Sequence, residues 1–271
     1  LKIGISLSPQ HVSTDYFDKA LTHPEIDFVE IAIEGFIYRK DYKAKETLTK
    51  ILENKPATAH GYSLSLLDPK PWDSNKLILH EEFLNKNSFL AWADHYALMS
   101  LDGIGFSSLT PAPMGQEAEN LLNTRLDLLE SKIPLCPFYF ENPAAPFLMD
   151  YQKSGVEIFA KCFKNRKSKM LLDISNLAAN EINFNISADR EFEILAGVEI
   201  GEVHLAGGDW VENFYRDSHS SSVTERSWEL LKKYKNIFSD ETLITIEREQ
   251  NIPPFEDILK ETRRARTILG F

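Results

Sequence analysis

The sequence predicts a barrel of eight parallel strands alternating with helices, and three observations carry that prediction. Short apolar runs rich in β-branched or aromatic residues recur along the 271 residues, with helical stretches between them, which is the pattern of repeated βα units. Eight such runs can be drawn, and eight is the number that closes a βα barrel. Metal-binding side chains fall at or just after the ends of most of the runs, and a barrel gathers the carboxyl ends of its strands on one face.

The first strand is expected from Ile3 to Leu7, followed by a short helix near Tyr16 to Leu21. The second and third run from Phe28 to Ile33 and from Ala57 to Gly61. The fourth, Trp92 to Ala97, is the least distinct, because Phe89-Leu90-Ala91-Trp92 also reads as the continuation of a preceding helix. From Glu117 to Lys132, leucines 121, 122, 126 and 129 recur among charges at helical spacing, so an amphipathic helix is expected there. The next three strands are Pro137 to Glu141, Met170 to Asp173 and Glu202 to Leu205. A helix over Ser227 to Lys235 leads to the eighth strand, Leu243 to Glu247. The last helix, Phe255 to Ile268, has Pro253-Pro254 at its start, where a missing amide hydrogen costs little.

Composition is that of an ordinary globular protein, 43% hydrophobic and 26% charged, and residues 1–271 are read as one barrel domain. No run approaches the roughly 20 apolar residues of a membrane span, and the first residues read as a strand rather than a signal peptide, so a cytoplasmic protein is expected. A formal net charge of −11 argues against broad nucleic-acid binding, which needs positive charge to displace phosphate counterions. The two cysteines, Cys136 and Cys162, form no paired thiolate motif and are expected to be buried small hydrophobes.

Nine donors carry the functional reading: His60, His95, Glu141, Asp173, Asn176, His204, Asp217, His219 and Glu247. Four imidazoles, four carboxylates and an amide exceed what one six-coordinate ion takes, so about two or three ions sharing carboxylates are expected. The absence of Cys thiolates from the set argues against structural zinc and leaves iron, manganese or catalytic zinc open. Strand order suggests one ion on His60 and His95 with Glu141 as a bridge, and a second on Asp173, His204 and Glu247. Asp217 and His219, two residues apart in an extended loop, would hold a third with Asn176. Glu249, two residues beyond Glu247, is a candidate base beside the metals, and His11 stands near the expected mouth of the site.

Several segments together resemble the multinuclear non-heme iron-dependent oxidative enzymes: Leu171-Leu172-Asp173-Ile174-Ser175-Asn176, His204-Leu205-Ala206-Gly207, Asp217-Ser218-His219 and Ile246-Glu247-Arg248-Glu249. Ala93-Asp94-His95 and Phe140-Glu141-Asn142-Pro143 fit the same pattern. The resemblance implies a xylose-isomerase-like barrel that binds two or three irons through the nine donors. It implies dioxygen as co-substrate and a ribosomally made, cysteine-containing precursor peptide as substrate. Among members the chain is most similar to the iron enzyme of methanobactin biosynthesis. That similarity implies conversion of cysteine to an oxazolone with an adjacent thioamide, aided by a partner protein that helps bind the precursor. Glu249 stands where an Asp is expected and Gly208 where a larger residue is common, which leaves the exact product open.

Two other readings share the donor set. Endonuclease IV-like phosphodiester hydrolases arrange a similar series around three zincs, but Asn176 stands where they would have a histidine. The other is a metal-stabilised subunit of a modification complex with no chemistry of its own.

Overall fold

The computed structural model describes residues 1–8, 11, 14–39, 41–70, 74–101, 104–148, 155–164 and 166–271. Eight parallel strands close the barrel: β1 (Lys2–Leu7), β2 (Phe28–Ala32), β3 (Ala57–His60), β4 (Trp92–His95), β5 (Phe138–Glu141), β6 (Lys169–Asp173), β7 (Ile200–Leu205) and β8 (Leu243–Ile246). Each strand pairs with the next in the chain, and β8 pairs with β1, so the expected (β/α)8 order is the order found. The uncertain fourth strand is real. Trp92 pairs with Phe138 and His95 with Glu141.

Alternation of side chains decides what fills the interior. Outward residues such as Ile3, Ile5, Val29, Ile31, Leu172 and Val203 are buried under the surrounding helices. Inward residues are small or aromatic low in the barrel and polar toward its top. A Cβ on Gly4 would lie 2.7 Å from the Phe28 ring, and one on Gly201 would lie 2.5 Å from the Tyr139 ring, so glycine at both makes room for an aromatic plug. Ala91, Ala93, Tyr139 and Leu171 pack as a separate internal cluster. Above them the inward positions carry His60, His95, Glu141, Asp173 and His204.

The expected helices near residue 16, after residue 116 and at the carboxyl end are found as Asp15–Thr22, Gln116–Lys132 and Phe255–Leu269. The helix expected over Ser227 to Lys235 runs Glu225–Tyr234 and continues as a 3-10 turn, Lys235–Ile237. Four strand ends are corrected, the eighth among them, since β8 stops at Ile246, one residue before Glu247. β2 stops at Ala32 and β3 at His60, while β4 stops at His95 because Ala97 begins a new antiparallel hairpin, Ala97–Leu101 with Ile104–Pro111. The loop expected after β7 is also a hairpin, Gly207–Val211 paired with Phe214–Ser221. Among the described residues, no helix is long and apolar enough to cross a membrane.

Candidate metal centre

The site is built where β3 to β8 end. His60 Nδ1 lies 3.1 Å from the carbonyl oxygen of Gly61, and His95 Nδ1 lies 3.2 Å from the same atom. One backbone oxygen therefore orients both rings, whose Nε2 atoms point at Glu141 Oε2, 2.7 Å and 3.0 Å away. The adjacent Asp94 braces this corner, accepting from the backbone amides of His95 and Leu64 at 2.7 Å and 3.2 Å.

The β6 end shows how local folding frees ligand atoms. Asp173 caps the helix Ile174–Phe184, its Oδ1 accepting from the Asn176 amide at 2.8 Å, which satisfies an otherwise orphaned helix amide. Asn142 ties β5 to β6, donating to the Asp173 carbonyl and accepting from its amide, both at 2.9 Å. Asn176 Nδ2 donates to the Asn142 carbonyl at 3.0 Å. These bonds leave one oxygen on each side chain, Asp173 Oδ2 and Asn176 Oδ1, buried and without a hydrogen-bond partner.

His204 is fully buried beneath the cavity. Its Nδ1 lies 3.0 Å from Glu247 Oε2 and 3.7 Å from Glu141 Oε1, yet neither His204 Nδ1 nor Glu247 Oε2 makes a well-aligned hydrogen bond. His219 Nε2 sits 3.0 Å from Asp217 Oδ2 and 3.6 Å from Glu247 Oε2. Pleating does not set this last arrangement. His219 adopts φ +48°, a left-handed conformation uncommon outside glycine, and its carbonyl accepts the amides of Glu249 and Gln250 at 3.0 Å and 3.3 Å. The hairpin is thereby pinned to the segment after β8, and Asp217 and His219 lean over Glu247.

Among the described His, Cys, Asp and Glu residues, four groups of three place ligand atoms within 4.8 Å of one another: His60, His95 and Glu141; Glu141, Asp173 and His204; Asp173, His219 and Glu247; Glu30, His60 and His204. The first is the set drawn from strand order. The others partition differently. Asp173 is shared by two groups, and His219 joins Asp173 and Glu247 rather than forming a third set apart. Glu30 was missed because it lies in the middle of β2, between apolar neighbours, and not at a strand end. A lone carboxylate inside an apolar strand run was the available signal. His11 lies off the site, fully buried against Tyr16, and burial lowers its pKa to about 4.

Five cluster atoms are buried and lack hydrogen-bond partners: Asp173 Oδ2, Asn176 Oδ1, His204 Nδ1, His219 Nδ1 and Glu247 Oε2. An interior rarely leaves such atoms unpaired, so the donor set fits cations held between the side chains. Electrostatics agree. Burial opposes charge on His204 and His219, but Glu247 with Glu30 and Asp217 with Glu247, respectively, outweigh it and hold both imidazoles well above their usual range. Burial, then Asp217, Glu141 and Glu247, push Asp173 well above an ordinary carboxyl. This crowd of carboxylates thus favours positive charge on His204 and His219.

A cavity of about 440 Å³ opens over His60, His95, Glu141, Asn176, Asp217, His219 and Glu247. Glu249 also lines it, half-exposed, with its Oε2 3.7 Å from His219 Nδ1. A neighbouring, mainly apolar cavity of about 390 Å³ shares Leu7, Ser8, Ala32 and Tyr62 with it.

Residues 2–270, which span this whole arrangement, match the family model described as RiPP precursor modification enzyme MbnB/TglH/ChrH. The chain belongs to that family. Relatives of the MbnB/TglH/ChrH chain include a UPF0276 protein of Acinetobacter baylyi, 27% identical over 265 residues, covering 96% of this chain and 88% of the relative. Another, from Nitrosospira multiformis, is 30% identical over 243 residues, covering 87% and 83%. Among solved structures, 3-keto-D-glucoside 4-epimerase from E. coli superposes with a TM-score of 0.61 at 15% identity, covering 98% of this chain and 99% of the epimerase. Endonuclease IV from Thermus thermophilus superposes at 0.55 with 13% identity, covering 99% of both. At such identities the likeness is one of fold. These neighbours share with this chain the closed (β/α)8 barrel.

Two further features of the family member carry tests. A Cβ on Gly207 would fall 2.0 Å from the Ser222 carbonyl oxygen, so the two hairpin strands approach only because that side chain is absent. Gly207→Ala is expected to destabilise the protein by about 1–3 kcal/mol, as overpacking does, and to release His219 from Glu247. Calorimetry together with metal content checks this, and wild-type values for both would refute it. Burial pushes the Cys136 thiol up to about 12 and Cys162 up to about 11. Both are expected to resist a thiol reagent at pH 8 until denaturant is added. Rapid labelling of the native protein would contradict that expectation.

Proposed function

We infer that this protein is an iron- and dioxygen-dependent enzyme that oxidises a cysteine in a ribosomally made precursor peptide, with methanobactin-like oxazolone and thioamide products. The observation that carries the reading is the set of buried, unpartnered ligand atoms under an open cavity in a chain of the RiPP precursor modification family. His60, His95, Glu141, Asp173, Asn176, His204, Asp217, His219 and Glu247 would hold the metal, in about two or three ions by donor count. Imidazole and carboxylate together, without thiolate, suit iron. Iron held there would supply the redox chemistry by which dioxygen oxidises the peptide cysteine.

The chain's own residues do the rest. Glu141 and Asp173, each shared by two donor groups, would hold the metal from more than one side. Glu249, half-exposed beside His219, would take a proton from the bound peptide. The apolar cavity that shares Tyr62 and Leu7 with the metal cavity would seat the residues flanking the target cysteine, with a partner protein helping to hold the rest of the precursor.

The test uses protein expressed with added iron and purified without oxygen. About two to three irons per chain, and a mass change in a cysteine-containing precursor encoded nearby once oxygen is admitted, are expected. Stoichiometric zinc with phosphodiester cleavage would replace this reading with a hydrolase. An unchanged peptide mass with iron, precursor and partner all present would reject it.

A further inference from the structure

We propose that Glu30 is the positioning residue of the metal centre: it accepts the Nε2 proton of His204 and so commits Nδ1 to the metal. The inference rests on the reading of His204 as a ligand. Glu30 and His204 lie on β2 and β7, which are not neighbours in the barrel sheet, and meet inside it, with Nε2 3.1 Å from Glu30 Oε2. Both side chains are buried, His204 at 0% and Glu30 at 3% exposure, so little solvent reaches this bond although Glu30 lines the cavity. A neutral ring that keeps its proton on Nε2 would carry its lone pair on Nδ1, the atom that faces Glu247 and Glu141.

His204 is used differently from the two histidines beside it. His60 and His95 direct Nδ1 at a backbone carbonyl and turn Nε2 toward Glu141. His204 turns Nδ1 upward, and its partner is a carboxylate. Such a partner fixes the ring's tautomer and raises its strength as a ligand, and losing one typically costs about 10–100-fold in metal affinity.

Two other partners for Nε2 fit less well. Glu202 lies 3.9 Å from the same Nε2, beyond hydrogen-bonding distance, and is engaged at 2.6 Å by the Thr245 hydroxyl. Glu30, His60 and His204 are also close enough to hold an ion of their own. That ion would take Nε2 while the upper metals take Nδ1, and a ring that keeps a proton cannot serve both.

The test compares Glu30→Gln, Glu202→Gln and His204→Ala with the wild-type protein. Glu30→Gln keeps shape and one acceptor oxygen but removes the charge. Metal affinity is read by competition with a chelator, and the His204 ring nitrogens by ¹⁵N NMR of the zinc-loaded protein. In the wild type, Nδ1 is expected to carry the metal-shifted resonance and Nε2 the proton. Glu30→Gln is expected to lower affinity about 10-fold or more with the fold intact by circular dichroism, and Glu202→Gln to change it much less. Equal losses in the two variants would mean a general field effect and overturn the proposal, as would no loss in Glu30→Gln or metal shifts on both ring nitrogens. Loss of metal in His204→Ala with no effect of Glu30→Gln rejects the positioning role alone. Full metal content in His204→Ala rejects the ligand reading and the proposal with it.

Discussion

Glu141→Gln is expected to strip metal from this protein and to abolish turnover while the barrel still folds. The Glu141 carboxylate lies within 3.0 Å of the Nε2 atoms of both His60 and His95 and 3.7 Å from His204 Nδ1. Burial alone would keep it neutral, but His95, His60 and His204 outweigh burial and lower its pKa to about 2, so it stands as a full anion among imidazoles. The amide of Gln carries no charge, and as a bridge between cations it is far weaker than a carboxylate. The affinity loss should exceed the roughly 10–100-fold typical of outer-shell changes, leaving well under one equivalent at micromolar iron. Elemental analysis after anaerobic gel filtration measures it. A Glu141→Gln protein that retains the wild-type iron complement and activity would remove Glu141 from the metal centre.

The same geometry explains what could be read from the chain alone. Seven of the eight barrel strands announced themselves as short apolar runs, a pattern that survives whichever neighbours they pack against, while the fourth also read as the end of a helix. Donors at strand ends could be found for the same reason: a polar side chain closing an apolar run has little to do in a core. Glu30 escaped because nothing local separates a buried carboxylate that orients a histidine across the barrel from one that merely interrupts a strand. The hairpins escaped for another reason. The strands of the first, Ala97–Leu101 and Ile104–Pro111, do not alternate cleanly between apolar and polar residues. The second hairpin turns at Glu212, whose φ of +55° is unusual for that residue type and carries no sequence signal.

The partition of ligands among ions was the least legible step, and its reason is also physical. Strand order fixes which residues reach the top of the barrel, but not how far each leans. Asp173 leans because it caps a helix with one oxygen, and His219 because its backbone is left-handed and held by the amides after β8. The first effect is local to Asp173 and Asn176, whereas the second is tertiary. They bring Asp173, His219 and Glu247 into one group although the three belong to different βα units.

Removing the metal should lower the melting temperature substantially, because the centre is part of the barrel's interior rather than an attachment to its surface. Glu141, Asp173 and Glu247 are at most 5% exposed, with Glu30 and Glu202 directly below, and burying like charges together is unfavourable unless cations sit among them. Protonated imidazoles offset part of this in metal-free protein, at the cost of leaving ligand atoms unpaired. An ion bound to the folded state alone, at about a thousand times its Kd, adds about 4 kcal/mol. For a domain of this size each kcal/mol is worth roughly 2–4 °C, so one such ion shifts the midpoint by on the order of 10 °C. Calorimetry of iron-loaded protein against protein treated with chelator reads the difference, and re-adding iron should restore it. Asp173→Ala should shrink the shift, since it opens two of the donor groups at once. Midpoints that coincide with and without metal would mean that the nine side chains hold no ion that the fold depends on.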